Sequence, residues 1–399
     1  MTAEREALNH VSDETVGILD DLLEFLLGIA QPGLFRANAF RIVGLPANAS
    51  DSAIRKQAKR LEFEAQHPGN AGQTGGPLPL DAEPINEMVP EAMQRLKDPE
   101  RRFVEEFFWF WPQPGLGNND PAIAALGNRD VEAAIEIWNG EVGRDDDAGR
   151  ACHNLAVMFH TLALDVEYAR QFEETSGKLR KVQYTYWQKG LSQWQSVLCD
   201  EAFWSSWNIR VSELNDPRLT SKTTRQLRTA LPTILLLISA QIAANASQRG
   251  ENAEAQQYRR LMQESGFDCA LVEEACGRAA LQTRKQISIL CRAAEQDAAA
   301  GPATADEGVR RLLEQSRSLV ATIDVLLTSN SALGNEARDE VADAATNCLY
   351  LFSEAAGNPK VALGLLDLTR PYAVSLAVRE RIDYLRKEFL RHIYSASRA

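Results

Sequence analysis

The chain has 399 residues, 45% of them hydrophobic and 25% charged, with a formal net charge of −12. That composition is ordinary for globular proteins and excludes a largely disordered polymer, and the length allows two or three domains with a sizeable core. The acidic balance, with no basic block to offset it, excludes an electrostatic binder of nucleic acid.

Glu4, Glu6, Asp13, Glu14, Asp20 and Asp21 run before and through the first apolar stretch, the reverse of a secretory leader, so no signal peptide is expected. Val16 to Ile29 sets Ile18, Leu19, Leu22, Leu23, Phe25, Leu26 and Leu27 on one broad face. This predicts an opening helix within residues 1–37 that packs on the rest and stops at Gln31-Pro32-Gly33. A short apolar helix follows at Phe40 to Leu45, and then a second helix for which Ser50 is the expected N-cap and Asp51 a favourable first-turn acid. Ile54, Ala58 and Leu61 form its inward face, while Arg55, Lys56, Lys59 and Arg60 cover much of the outer one. It ends at His67-Pro68-Gly69. A loop rich in Gly and Pro extends to Pro84, long enough to loosen the neighbouring helices. The next helix is predicted from Ile85 through Ala92 and Leu96 to Asp98-Pro99-Glu100-Arg101-Arg102. Phe103, Phe107, Phe108, Trp109, Phe110 and Trp111 read as a packed seam, because so dense an aromatic cluster would be hazardous if exposed. A domain boundary is placed at Trp111 to Pro121.

Beyond it, helices are predicted at Asp130–Trp138, Arg150–Gln171, Leu179–Leu198, Thr223–Arg249, Ala253–Ser265, Ala270–Ala299, Asp306–Leu327, Glu336–Ala355, Pro359–Leu368 and Ser375–Tyr394. A break at Asn215-Asp216-Pro217 separates a helical region over 122–214 from a C-terminal region over 218–399. The most lipid-like stretch, Leu231 to Ala244, is interrupted by Thr233, Ser239 and Gln241 and is too short to span a bilayer, so no membrane is expected. No run of alternating β-branched residues occurs. The predicted fold class is all-α, with long helices in stacked antiparallel pairs forming a bundle or an irregular solenoid.

The order of motifs from Ala39 to Phe110 resembles a J-domain, the module by which co-chaperones engage heat-shock-type ATPases. The family's short first helix, basic second helix, His-Pro-Asp tripeptide and third helix ending in Leu-x-Asp-Pro-x-x-Arg are matched by Phe40 to Leu45, the Arg55/Lys56/Lys59/Arg60 helix, His67-Pro68-Gly69 and Leu96 to Arg102. The resemblance implies docking through Arg55, Lys56, Lys59, Arg60 and the tripeptide. Gly69 departs from the family in lacking the carboxylate that stimulation of ATP hydrolysis needs. Gly127 to Trp138, followed by Asn154-Leu155-Ala156, resembles the inter-helix turn of tetratricopeptide repeats, and Gly250 and Gly357 open two similar turns at irregular intervals.

No P-loop, Gly-x-Ser-x-Gly, His-Glu-x-x-His or dinucleotide fingerprint is present, so no catalytic residue and no cofactor is assigned. His153 and His160 share a helix face, but ordinary packing is preferred there and no metal is assigned. Trp187, Trp194, Trp204 and Trp207 read as core. The six cysteines show no metal-ligand spacing and are expected as free, buried thiols in a reducing cytoplasm. The resulting expectation is a cytoplasmic, non-enzymatic adaptor that tethers a protein client to a heat-shock-type ATPase chaperone. The alternatives are an interaction scaffold whose J-like unit is only structural, and a helical metal-dependent enzyme using His153 and His160.

Overall fold

A computed structural model of the chain describes residues 24–66, 76–80, 88–143, 148–170, 172, 177–327 and 331–396. Every regular element among them is helical and none is a strand, so the fold is all-α. The opening helix predicted over Val16–Ile29 lies largely outside the described residues; its described end, 24–28, is helical. Contact density divides the chain into two compact units, Met1–Leu235 and Leu236–Ala399.

The first unit begins with the short helix α1 (Ala39–Val43), followed by α2 (Asp51–Gln66), α3 (Met88–Lys97) and α4 (Pro99–Phe107). Asn38 caps α1, its Oδ1 accepting the Phe40 and Arg41 N–H groups at 3.0 and 3.4 Å. The expected Ser50 cap on α2 is present, with Oγ accepting the Ala53 N–H at 3.2 Å. The single helix predicted from Ile85 into the Asp98-Pro99 run is instead two. Asp98 takes extended backbone and its Oδ1 caps the Glu100 and Arg101 N–H groups, each at 3.1 Å, while Pro99 occupies the first helical position. Proline there needs no N–H donor and carries a φ already suited to a helix start, so this pair begins a helix rather than ending one.

Within the Gly/Pro loop, residues 76–80 are described and are fixed. The Leu78 N–H donates to Leu126 O at 3.3 Å, and Leu78 O accepts the buried Arg41 Nε at 3.0 Å. Gly76 lies at φ 116, with its backbone so close to Gly44 that a Cβ would come within 2.8 Å of the Gly44 carbonyl carbon. Residues 76–80 are thereby pinned to the rest of the unit.

The unit continues through α5 (Pro121–Gly127), α6 (Val131–Val142), α7 (Ala148–Ala169), α8 (Gly177–Cys199), α9 (Glu201–Glu213) and α10 (Ser221–Gln248), the last of which contains the division between units. The sequence pattern does not mark α5 and α9 as separate elements. The antiparallel pair α7/α8 is the most extensive packing here, and the aromatic seam closes onto it. Phe107 stacks on Trp194 at 5.7 Å and on Trp204 at 5.6 Å between ring centroids, and meets Trp207 edge-on at 5.1 Å. Such pairs add roughly 0.5–1.5 kcal/mol each beyond their buried area. Gly190 lets α8 approach α7: a Cβ there would collide with the His160 ring. Residues 111–121 are tied down as well, Trp111 N donating to Asn154 Oδ1 at 2.9 Å and Gln113 N to Asp120 Oδ2 at 2.7 Å.

The second unit holds α11 (Asn252–Glu264), α12 (Cys269–Ala300), α13 (Ala305–Leu326), α14 (Ala332–Ala356), α15 (Pro359–Thr369) and α16 (Leu376–Ala396). Pro302–Thr304 forms a 3-10 turn at the predicted break. The helices α12, α13 and α14 enclose a core of Ile287, Cys291, Val309, Leu312, Ile323, Val341, Ala345 and Leu349, and α15 and α16 extend it with Leu366, Ile382 and Phe389. Asp339 fixes the entry to α16 by accepting the Val374 and Ser375 N–H groups at 2.7 and 3.0 Å. By length and composition α10 could cross a membrane, but 78% of its most apolar window is buried in the protein, as suits a core helix.

Candidate functional site

The α2 helix is amphipathic in the expected sense. Ile54 is buried at 4% exposure, Ala58 and Leu61 are half-buried, and Arg55, Lys56, Lys59 and Arg60 are all exposed. No acidic side chain interrupts residues 52–61, and Glu62 is the first to follow. The surface therefore presents cationic groups at i, i+1, i+4 and i+5, one side of two successive helical turns. Gln57 anchors the opposite side, donating through Nε2 to Val43 O at 2.6 Å.

The N-terminal end of α2 is held by Arg102 of α4. Its guanidinium pairs with Asp51 through Nη1, donates to Ala49 O through Nη2 at 2.8 Å, and donates to Glu106 Oε1 through Nε at 2.8 Å. Glu106 has 0% exposure, and a buried carboxylate needs compensating charge. A second arginine, Arg210 of α9, supplies it in a bidentate pair: Nε to Oε2 and Nη2 to Oε1, both 2.8 Å. Trp111 Nε1 donates to Glu106 O at 2.9 Å, and the Arg210 guanidinium lies 5.7 Å from the Trp111 ring centroid. Burial acts to lower the Arg210 pKa, but the hydrogen bonds and charges of Glu106 and Glu213 outweigh it and the net shift is upward. The Leu-x-Asp-Pro-x-x-Arg run thus has a full structural account, with Asp98 as cap, Pro99 as helix start and Arg102 as clamp on α2.

A parallel clamp holds α1. Glu105 accepts the Ala39 N–H at 2.7 Å and pairs with Arg95, which also donates to Ala37 O at 2.6 Å. Burial pushes the Glu105 carboxyl above its ordinary value, against the opposing pull of Arg95. A cavity of about 380 Å³ adjoins this pair, walled by Phe25, Ile29, Leu34, Val104 and Phe108. Arg41, in turn, joins α1 to α7 by a two-pronged bond to Asp165 at 2.9 and 2.5 Å.

His67, Pro68 and Gly69 lie outside the described residues. His153 and His160 are fully buried in aromatic surroundings. His153 Nε2 meets Phe107 O at 2.6 Å and its ring stacks on Phe203, while His160 Nδ1 accepts the Trp194 indole N–H at 3.0 Å and its ring stacks on Trp187 at 4.0 Å. Burial lowers their pKa values to about 4 and about 3 respectively, leaving neutral rings at neutral pH. No group of three or more His, Cys, Asp or Glu side chains that could hold a metal occurs among the described residues.

All six cysteines are free thiols. Cys152, Cys276, Cys291 and Cys348 are buried as expected, but Cys199 and Cys269 are exposed, each at a helix terminus where the chain turns. Burial raises Cys276 to about 11, Cys291 to about 12 and Cys348 to about 11, which keeps those thiols protonated and inert.

The residues that sequence reasoning missed are Glu106 and Arg210, 104 positions apart. Only the acid i+4 from Arg102 carried a local signal, as a helical ion pair. No family model, curated protein or solved structure matches the chain.

Proposed function

We propose that the chain is a non-enzymatic, co-chaperone-like adaptor that docks a heat-shock-type ATPase through α2 and holds a protein client on its helical body. The observation that carries this reading is the exposed run of Arg55, Lys56, Lys59 and Arg60, uninterrupted by an acid between residues 52 and 61, on a helix anchored at both its N-terminal end and its inward side. Long cationic side chains on a fixed helix suit an acidic protein surface, giving fast and salt-sensitive association. The order of helices and the His67-Pro68-Gly69 tripeptide support the J-like assignment of that surface. With glycine in place of the acid, the adaptor tethers: it raises the local concentration of client near the ATPase without driving the cycle. Free thiols throughout suit a reducing, cytoplasmic setting. The test is steady-state ATP turnover and binding with a matched ATPase. The wild type is expected to bind and stimulate little, Gly69→Asp to gain stimulation, and His67→Gln to lose it again; strong stimulation by the wild type contradicts the tethering reading.

A second reading is favoured by one specific observation. Asp98, Pro99 and Arg102, the best-matched family residues, are fully used in building the fold. On this reading the J-like unit is architectural and the chain is an interaction scaffold. Absence of binding to any matched ATPase by wild type and both variants would support it.

A further inference from the structure

The α2 helix is held from two directions, and one of them originates far along the chain. Arg102 reaches Asp51 and the Ala49 carbonyl with its two terminal nitrogens, and its Nε is fixed by Glu106 Oε1. That same oxygen accepts Arg210 Nη2, and the other carboxylate oxygen accepts Arg210 Nε. Arg210, Glu106, Arg102 and Asp51 form an alternating chain of charge that runs from α9 to the first turn of α2 and sums to zero. Without Arg210, Glu106 retains Arg102 alone. That guanidinium must then neutralise a fully buried carboxylate, and its hold on Asp51 weakens.

We infer that Arg210 is a positioning residue for the docking helix, so that α9 of the helical body fixes the direction in which Arg55, Lys56, Lys59 and Arg60 are presented. Geometry makes arginine the required residue: a lysine carries the charge but cannot bridge both oxygens of Glu106. The relay also explains why the J-like segment keeps an acid at Glu106 that is invisible from outside.

Hydrogen exchange on the full chain tests this without any partner. Arg210→Gln is expected to speed exchange of the amides in residues 53–58 about tenfold, with less than about twofold change in α7 and α8 and none in the second unit. Asp51→Asn, which cuts the far end of the relay, is expected to give the same local effect. Because both act on one chain of contacts, the double variant is expected to stay near tenfold instead of reaching about a hundredfold. Arg210→Lys, which keeps a charge beside Glu106 and folds more readily, is expected to fall between wild type and Arg210→Gln. Unchanged exchange over 53–58, equal acceleration throughout the first unit, or multiplicative effects in the double variant would each overturn the inference. The importance of the positioned face rests on the docking role proposed for α2, but the exchange result does not: failure of the wild type to bind an ATPase leaves the relay standing and removes only the function.

Discussion

At the scale of single residues, the decisive groups are those that are buried and polar. Glu106 has 0% exposure and two arginines. Glu106→Gln removes the buried anion that the two guanidinium groups share, leaving Arg102 with Asp51 and Arg210 with Glu213, and breaking a buried pair of this kind costs about 3–5 kcal/mol. A clear fall in the melting temperature reported by tryptophan fluorescence is therefore expected, against little change for Glu62→Gln on the exposed side of α2. The histidines set the acid limit. Their folded-state pKa values, about 4 for His153 and about 3 for His160, lie below the unfolded value near 6.5. Neutral burial is thus fully stabilising above about pH 6.5, and the contribution is lost as pH falls through that value towards 4 and 3, because only the unfolded chain takes up the proton. At one pKa unit per 1.36 kcal/mol, the loss is roughly 3 kcal/mol for His153. His160→Gln, which can still accept the Trp194 N–H, is expected to flatten stability between pH 6.5 and 4. An unaltered pH slope in that variant would show that the ring is not the titrating group.

At the scale of elements, α2 should behave as a surface with a fixed underside. Lys56→Glu combined with Lys59→Glu is expected to leave melting within about 0.5 kcal/mol of wild type, as for other exposed sites. A substantial loss of stability would instead place that face inside. Gly76→Ala is expected to destabilise the first unit by more than about 1 kcal/mol, because φ 116 and the contact with Gly44 both exclude a Cβ, and chemical denaturation would register it. The helices from α6 to α16, α9 excepted, were legible in the sequence to within a few residues because apolar spacing, caps and Gly/Pro stops are local signals. The Asp98-Pro99 junction is not legible as a helix start because the apolar spacing runs up to it from Met88–Lys97, while Asp98 and Pro99 themselves cap and open the next helix. Glu106–Arg210 and Arg41–Asp165 were not legible at all: pairs 104 and 124 residues apart follow from the packing of α4 on α9 and of α1 on α7, which no local pattern encodes. The basic face was legible, since helical period alone groups its four residues.

At the scale of the whole molecule, the two units can be followed separately. All seven tryptophans fall between Trp109 and Trp207, within Met1–Leu235, so tryptophan fluorescence reads the first unit while far-ultraviolet circular dichroism reads both. The acid-induced loss attributed to the histidines should accordingly appear in fluorescence ahead of circular dichroism. The aromatic seam also predicts that residues 38–111 do not fold alone, because Phe103, Phe107, Phe108 and Phe110 are buried against partners that include Trp138, Trp194, Trp204 and Trp207. A cooperative melt from that fragment would contradict the packing described here.

The docking proposed for the exposed cationic face of α2 is tested most directly by the association rate of the full chain with a matched ATPase chaperone as a function of ionic strength. For the wild type, an association rate that falls steeply with salt is expected. For Lys56→Glu/Lys59→Glu the expected rate is at least about tenfold lower at low salt and nearly flat with salt, with the fold intact by both spectroscopic readouts. Association by the charge-reversed variant at the wild-type rate and with the wild-type salt dependence would contradict the docking.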